Sequence, residues 1–283
     1  MTVSEALASA TNQLAAAGIP EAPLDAELLL RHAMGWDRAA LLARPEAEVP
    51  EESAARFLHL VEERARRRPL QHLTGAQAFW RHEFLVTPDV LIPRPETEVL
   101  VEAALSLLSG ADHPVLVDVG TGSGCIALSL AADLPNAEVH ATEVSLAALT
   151  VAEDNARRLG VVDRVWFHLG DLLEPVIDLA GRPEMVVSNP PYVDRAEAGG
   201  LAPEVRDHEP ALALFPPGDA YAVYRRLAPA AARLLRPGGW LLLEIGQGMG
   251  AGVSRICGDA GLVVERVLPD LQSIPRTVVA RRP

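Results

Sequence analysis

Short apolar runs alternate with longer amphipathic segments from residue 96 onward. The short runs predict buried strands, and the segments with apolar residues every three or four positions predict helices. The predicted strands are 115–119, 138–143, 165–169, 185–188, 240–245, 263–268 and 277–280, and the predicted helices are 124–132, 146–159, 220–235 and 251–260. Such alternation is typical of an α/β fold with a parallel sheet covered on both faces. The last two strands have no helix between them, which predicts one antiparallel edge strand.

The first 70 residues have the pattern of a small helical bundle. Apolar residues at helical spacing predict one helix capped by Ser4 and ended by Gly18, a second over 25–34, and a third over 53–68. Short β-like runs at 79–80 and 84–86 then predict a hairpin. We therefore predict a helical domain over 1–75, a linker with a hairpin over 76–95, and an α/β domain over 96–283.

A glycine-rich loop, residues 118–124 (DVGTGSG), lies where the first strand of the α/β domain turns into a helix. Glycines there permit a tight turn and a close approach of the backbone to a ligand. A dinucleotide fingerprint places its third glycine one position later, where this chain has Cys125. The loop therefore favours a ligand without a pyrophosphate. Its candidate binding residues are Gly120, Thr121, Gly122, Ser123 and Gly124.

Two carboxylates follow the next two predicted strands. Glu143 ends the strand after the glycine loop, where a carboxylate can accept both hydroxyls of a ribose. Asp171 follows the third strand and is placed to meet the edge of an adenine. Because open α/β sheets bind ligands at the carboxyl ends of their strands, the loop and both acids predict an adenosine ligand. The alternative is that the glycines only shape a turn and the acids are solvated caps.

The tetrad Asn189-Pro190-Pro191-Tyr192 follows the fourth predicted strand. Its prolines fix the backbone and remove two donors, so that the carbonyls remain available as acceptors. The Asn189 side chain and the Pro190 carbonyl can together accept two N–H bonds from one NH2 group, and Tyr192 can pack on a flat group. The tetrad predicts a planar nitrogen nucleophile, either an amide or an exocyclic amine. The alternative is a proline-stiffened loop without chemistry.

The charged residues exclude several kinds of chemistry. All 25 cationic residues are arginines, set against 38 acidic residues, so no lysine can serve a P-loop, a Schiff base or a general base. Residues 86–283 carry 16 arginines and 26 acids, which argues against stable binding to nucleic acid. Two cysteines are too few for a disulfide framework, and no spacing of His, Cys and Asp predicts a metal site.

Membrane and export signals are not predicted. The chain has no run of 18 apolar residues, and its first five residues lack the basic start and apolar core of a signal peptide. We therefore expect a cytoplasmic protein that does not bind membranes.

Some residues have two interpretations. The basic cluster at 64–68 can meet an acidic or RNA partner, or it can be a helix C-terminus where cations are favourable. Arg94 and Glu96 can line a substrate entrance or belong to an internal ion pair that fixes the linker. Glu244 ends a strand near the predicted ligand, where a functional and a structural role are equally compatible.

Together these motifs resemble those of S-adenosylmethionine-dependent amino-methyltransferases. The glycine loop resembles their first motif, and the tetrad is shared by enzymes that methylate adenine N6 and enzymes that methylate protein glutamine. Four further stretches are similar to the HemK/PrmC family of peptide chain release factor glutamine N5-methyltransferases. They are 93–98 (PRPETE), 209–214 (EPALAL), 224–226 (YRR) and 244–247 (EIGQ). The helical first domain and the linker also match that family, so the resemblance covers essentially the whole chain.

The resemblance implies a class I S-adenosylmethionine-dependent methyltransferase fold, Rossmann-like with a seven-stranded sheet, after a small helical bundle that binds the protein substrate. It implies methyl transfer from S-adenosyl-L-methionine to the glutamine amide of the Gly-Gly-Gln loop of release factors, by a monomer. The implied cofactor-binding residues are Gly120, Thr121, Gly122, Ser123, Gly124, Glu143, Asp171, Leu172 and Asn189. The implied catalytic residues are Asn189, Pro190 and Tyr192, and the implied substrate-binding residues are Asn189, Pro190, Pro191, Tyr192, Arg94 and Glu96.

Other functions remain open at this point. Within the same chemistry, the substrate can be another protein glutamine, such as one on a ribosomal protein, or adenine N6 in nucleic acid. An NAD(P)-dependent oxidoreductase is disfavoured by the glycine spacing and the tetrad. A non-catalytic adenosine-binding regulator is disfavoured by Asn189 and Tyr192.

Overall fold

The computed structural model describes all 283 residues, which divide into two compact units. Unit 1 is Met1–Ala76 with Leu201–His208, and unit 2 is Gln77–Gly200 with Glu209–Pro283. The helices are α1 (Val3–Ala16), α2 (Ala22–Met34), α3 (Arg38–Ala43), α4 (Glu51–Ala65), α5 (Leu70–Thr74), α6 (Glu98–Leu107), α7 (Cys125–Asp133), α8 (Leu146–Leu159), α9 (Pro203–His208), α10 (Ala211–Leu214), α11 (Ala222–Leu234) and α12 (Gly250–Asp259). The strands are β1 (Ala76–Phe79), β2 (His82–Leu85), β3 (Val115–Val119), β4 (Glu138–Glu143), β5 (Val165–Leu169), β6 (Met185–Ser188), β7 (Trp240–Glu244), β8 (Val263–Pro269) and β9 (Pro275–Arg281). None of these helices combines the length and the hydrophobicity that a transmembrane helix needs.

Unit 1 is the predicted helical bundle. Its core contains fully buried side chains from three helices, including Leu14, Leu29 and Phe57. The predicted cap of α1 is wrong by two residues. Thr2, and not Ser4, has the extended backbone of a cap, and its Oγ1 accepts the Glu5 N–H at 3.2 Å while Glu5 Oε2 accepts the Thr2 N–H at 2.8 Å. This reciprocal pairing satisfies two amides that the helix itself cannot.

The α9 segment joins unit 1 through buried charges. Arg64 is buried and donates to Asp25 Oδ2 at 2.7 Å and to Glu204 Oε1 at 2.9 Å, and Arg67 donates to Glu204 Oε2 at 2.8 Å. Arg66 and Arg68 of the same cluster both pair with one acid, Glu63. The four arginines at 64–68 therefore have acidic partners in unit 1, which favours the structural interpretation of the cluster.

Unit 2 contains the predicted hairpin of β1 and β2 and a seven-stranded sheet in the order β5-β4-β3-β6-β7-β9-β8. The first five strands in this order are parallel, and β9 is antiparallel to both of its neighbours. The predicted antiparallel strand therefore exists, but it lies one place inside the edge. Helix α12 carries the chain from β7 to the edge strand β8. The short turn after β8 then brings β9 back between β7 and β8.

Both faces of the sheet pack against helices, so the central strands are buried throughout and their successive residues belong to opposite cores. Leu116 of β3 belongs to the core with α6 and α7, whereas Val117 belongs to the core with α11 and α12. From β3 the chain runs outward through β4 to β5 on one side, and then crosses back to place β6 on the other side of β3. This reversal of strand order opens a crevice at the carboxyl ends of the strands, where α/β proteins bind ligands.

Candidate functional site

A cavity of about 450 Å³ opens at this crevice in unit 2. Its size lies within the range of pockets that hold small molecules. The loops after β3, β4, β5 and β6 all contribute to its lining, together with segment 88–94. Of the predicted site residues, those that line it are Gly120, Thr121, Gly122, Ser123, Glu143, Asp171, Leu172, Asn189, Pro190, Pro191 and Arg94. Gly124, Glu96 and Tyr192 do not.

The glycine loop requires glycine at its three positions. Gly120, Gly122 and Gly124 have φ of +72°, +57° and +83°, a conformation that other residues rarely adopt. At Gly124, a Cβ atom would also lie 2.8 Å from Leu128 Cδ1 and 3.2 Å from Ala152 Cβ. The loop is further held by Asn155 of α8, whose buried Nδ2 donates to the Ser123 carbonyl at 2.9 Å. The backbone of the loop is therefore held in one conformation beside the cavity.

Asp118 lies beneath this loop at the end of β3. Its Oδ2 accepts hydrogen bonds from Thr121 Oγ1 at 2.7 Å and from the Ala127 N–H at 3.2 Å, and its Oδ1 has no partner. Burial raises the pKa of Asp118 to about 7, although the two hydrogen bonds favour the ionised form and lower it. The carboxyl therefore connects the loop to the first turn of α7.

Glu143 is nearly buried, and backbone donors occupy most of its carboxylate. Its Oε2 accepts the Gly122 N–H at 3.0 Å, and its Oε1 accepts the Val144 and Ser145 N–H groups at 2.9 and 3.0 Å. A carboxylate offers about four acceptor positions, so one remains, on Oε2. One ribose hydroxyl can therefore donate to the free position of Glu143. The second hydroxyl of the predicted contact can donate only if one of the three backbone N–H groups gives up its hydrogen bond.

Asp171 and Leu172 follow β5 at the other end of the cavity. Asp171 is partly exposed and accepts a hydrogen bond from Arg226 of α11 at 2.5 Å. Leu172 has a φ of +51°, which is unusual for a residue with a side chain and turns the backbone at the cavity wall. The sequence motif did not predict Arg226, which reaches this acid from the YRR stretch.

The tetrad brings two acceptors to the cavity. Asn189 Nδ2 donates to Thr97 Oγ1 at 3.2 Å, whereas Asn189 Oδ1 and the Pro190 carbonyl accept no hydrogen bond from the protein. Tyr192 instead lies against Gly246, where a Cβ atom would approach Tyr192 Cδ2 to 3.0 Å. Burial raises the pKa of Tyr192 to about 12, so its hydroxyl stays protonated.

Arg94 belongs to an internal ion pair and also lines the cavity. It donates to Glu209 Oε1 at 2.5 Å, and Glu209 Oε2 accepts the Ile92 N–H at 3.2 Å. The partner is therefore Glu209 of the EPALAL stretch and not Glu96. The pair fixes segment 88–94 at the mouth of the cavity. Both interpretations of Arg94 remain compatible with its position.

The cavity fits S-adenosylmethionine by the chemistry of its walls. Glycines with positive φ bring the loop backbone to one side of the cavity, and Glu143, which keeps one acceptor position, lines the same space. Two buried polar atoms of the loop, Asp118 Oδ1 and Ser123 Oγ, have no partner in the protein. A polar, phosphate-free ligand suits these groups better than a diphosphate, because two carboxylates line or underlie the site.

Comparisons with known proteins agree with this geometry. Residues 5–75 match the family model described as PrmC N-terminal domain, and residues 96–206 match the one described as methyltransferase small domain. A methyltransferase structure from Pyrococcus furiosus, 18% identical, superposes with a TM-score of 0.54 over 78% of this chain and 98% of that chain, which shows a shared fold. The fold is thus the class I methyltransferase fold that the sequence predicted.

Two relatives match over the full length. The release factor glutamine methyltransferase of Cereibacter sphaeroides is 46% identical over 100% of this chain and 99% of its own. That of Moorella thermoacetica is 47% identical, again over 100% of this chain and 99% of its own. The chain therefore belongs to the family of release factor glutamine methyltransferases.

Proposed function

We propose that the chain transfers the methyl group of S-adenosyl-L-methionine to N5, the side-chain amide nitrogen, of the glutamine in the Gly-Gly-Gln loop of peptide chain release factors. The observation that carries this proposal is the pair of unused acceptors, Asn189 Oδ1 and the Pro190 carbonyl, beside the cavity of the glycine loop. A primary amide has two N–H donors in one plane, and these acceptors suit both of them.

The cofactor supplies a methyl group that its sulfonium charge already activates. The residues of this chain then have to present a poor nucleophile, because an amide nitrogen shares its lone pair with its carbonyl. Hydrogen bonds to Asn189 Oδ1 and the Pro190 carbonyl orient the nitrogen and disperse the positive charge that develops on it. The nitrogen forms the new bond to carbon as the carbon–sulfur bond breaks, and the proton leaves to solvent afterwards.

We assign the binding roles as follows. The glycine loop and Glu143 hold the cofactor, Asp171 and Leu172 flank the adenine, and Asn189–Tyr192 hold the glutamine amide. Within the tetrad, Tyr192 packs against Gly246 outside the cavity lining and supports the other three residues. Arg94 and Glu96 lie on the side from which the substrate enters. The helical unit 1, which matches the PrmC N-terminal domain model, is the part that we propose to dock the release factor.

The proposal extends to partners and place of action. Release factors are the protein substrates, and stable binding to nucleic acid is not expected, since residues 86–283 are acidic and the arginines at 64–68 have acidic partners. A component of translation termination is modified where translation occurs, so the cytoplasm is the expected location. A monomer remains the expected state, which sedimentation of the purified chain checks.

The test is methyl transfer from labelled S-adenosylmethionine to a purified release factor, beside a copy whose Gly-Gly-Gln glutamine is alanine. DNA and RNA run in parallel. Label on the intact factor alone supports the proposal, and label on nucleic acid alone overturns it in favour of adenine. Asn189→Ala is expected to remove transfer, whereas the exposed Asn136→Ala, which does not line the cavity, is the matched control.

A further inference from the structure

Two buried polar residues stand behind Asn189 and have no role in the chemistry described so far. Asn189 Nδ2 donates to the hydroxyl of Thr97 at 3.2 Å. The Thr97 hydroxyl also interacts with the Glu244 carboxyl and lowers its pKa against the effect of burial. Thr97 and Glu244 are each only 2% exposed. The three side chains come from three separate parts of the chain, the start of α6, the end of β6 and the end of β7.

The direction of the hydrogen bonds follows from the proton count. A threonine hydroxyl has one proton, and above pH 7 the Glu244 carboxyl is mainly ionised and can only accept. Thr97 therefore donates to Glu244, and its oxygen is left to accept a proton from Asn189. The Asn189 amide must then turn its NH2 group toward Thr97, which leaves Oδ1 on the side of the cavity. The nitrogen and oxygen of an amide are nearly identical in shape, so packing alone would not select this orientation.

The backbone around both residues is fixed. The Thr97 N–H donates to the Arg94 carbonyl at 3.1 Å, and Tyr224, which is fully buried, donates its hydroxyl proton to the Glu244 carbonyl at 2.8 Å. In the sheet, Leu243 lies beside Ser188 in parallel register, so Glu244 follows the same step as Asn189. The relative positions of Glu244 and Asn189 are thus set by the β6–β7 pairing.

Burial of the Glu244 carboxyl is unfavourable for the stability of the fold. Its Oε2 has no hydrogen-bond partner, and burial raises its pKa to about 7 despite the nearby Thr97, Arg276 and Arg94. An apolar residue of similar size would avoid this desolvation, because a buried acceptor without a partner destabilises a protein. A buried carboxyl with an unpartnered oxygen, close to a side chain that contacts Asn189, points to a role in the site.

We propose that Thr97 and Glu244 are positioning residues that hold the Asn189 amide with its oxygen toward the substrate nitrogen. This rests on the proposed function, since it assigns the nucleophile to an amide nitrogen. With the Asn189 amide reversed, its NH2 group would face the NH2 group of the substrate, donor against donor. The substrate amide would then bind through its carbonyl, and its nitrogen would turn away from the methyl group. The pair therefore selects which end of the amide is presented.

Thr97→Val tests the proposal because valine keeps the shape of threonine and removes the hydroxyl. We expect kcat with release factor to fall by about 10- to 100-fold, the range for a lost hydrogen bond to a charged group, because a misoriented Asn189 no longer accepts from the nitrogen on which positive charge develops. Thr97 also lines the cavity, but its hydroxyl is engaged by Asn189 and Glu244 and valine keeps its shape, so the affinity for S-adenosylhomocysteine should stay within about twofold. Thr97→Ser, which keeps the hydroxyl, should restore most of the rate, and Thr150→Val, an exposed threonine of α8, is the control.

Glu244→Met extends the test by removing the acceptor. The free Thr97 proton can then reverse the amide, so this variant should lower kcat as Thr97→Val does. The double variant should be no slower than either single one, because both changes remove the same orientation. Additive losses, or an equal loss in Thr97→Ser, would overturn the proposal.

A second measurement does not depend on the substrate. Hydrogen exchange of the Asn189 side-chain NH2 group, identified in a 15N spectrum by its disappearance in Asn189→Ala, should be slow in the unmodified protein and in Thr97→Ser and fast in Thr97→Val. Equal exchange in all of them overturns the positioning role, whatever the substrate. Slow exchange in a protein that does not label release factor would support the positioning role and reject the proposed function.

Discussion

Glu143→Gln is the substitution whose effect on cofactor binding the structure defines most closely. The carboxylate accepts three backbone N–H groups, two on Oε1 and one on Oε2, and keeps one acceptor position on Oε2. Glutamine has nearly the same size but only one oxygen. That oxygen best replaces Oε1, where it keeps the bonds from Val144 and Ser145, so the amide NH2 takes the place of Oε2. It then faces the Gly122 N–H and can no longer accept a ligand hydroxyl.

The magnitude follows from these lost bonds. A hydrogen bond to a charged acceptor contributes about 1.5–3 kcal/mol, and about 1.4 kcal/mol changes an equilibrium constant tenfold. Loss of the ligand hydroxyl bond alone therefore predicts about a 10- to 100-fold rise in the Kd of S-adenosylhomocysteine. Loss of the Gly122 bond adds to this, because the glycine loop is less fixed before the ligand binds.

Calorimetric titration with S-adenosylhomocysteine is the assay, and Glu153→Gln is the matched control, since that glutamate lies on α8, is exposed and removes the same charge. Thermal unfolding should first show that both variants are folded, and the titration follows. A Kd for Glu143→Gln within about twofold of the unmodified protein would refute the reasoning, because it would mean that no ligand group uses the remaining Oε2 position.

Three further predictions concern stability. Gly124→Ala should lower the free energy of unfolding by at least about 1–2 kcal/mol, because it forces a side chain into a left-handed conformation. The loss should exceed that of Gly160→Ala, since Gly160 has a similar φ but open space around its Cβ. Comparable shifts in melting temperature for the two variants would contradict the role of crowding. Arg64→Met should lower the free energy of unfolding in urea by about 3 kcal/mol or more, because it leaves the buried Asp25 carboxylate unpaired. The control Arg66→Met, at an exposed ion pair, should lower it by under about 1 kcal/mol. Equal effects would show that the buried pair is not stabilising. The pKa of Glu244 in the folded protein is raised from 4.5 to about 7, so its contribution to stability is complete below pH 4.5 and is lost as the pH rises through 7. Glu244→Gln should therefore flatten the fall in melting temperature that calorimetry measures between pH 5 and pH 8. An unchanged slope would mean that the pKa is not raised.

Much of unit 2 was predictable because its strands and helices are encoded locally. The predictions at 138–143, 146–159, 165–169 and 185–188 coincide with β4, α8, β5 and β6. Each is a short apolar run or a helical stripe bounded by polar or glycine residues, so its period can be read without its neighbours. The glycine loop was recognisable for the same reason, since its backbone conformation depends on three nearby glycines.

The errors and omissions have a different origin. The place of β9 inside the sheet depends on which gap the returning strand fills, and the inclusion of α9 in unit 1 depends on buried ion pairs formed far along the chain. The partner of Arg94 was likewise not predictable, because Glu209 lies 115 residues away. A pattern within a window of residues has no information on such pairs.

The sequence by itself determined the fold class, the family and the two acceptors of the tetrad, because periodicity, glycine spacing and proline act within a few residues of the chain. Only the tertiary structure decided how those acceptors are oriented. Thr97 and Asn189 are 92 residues apart, and Glu244 lies farther still along the chain. The three side chains meet because β6 and β7 pair in parallel and α6 begins beside their carboxyl ends, and the direction of a hydrogen bond depends on every partner in that space.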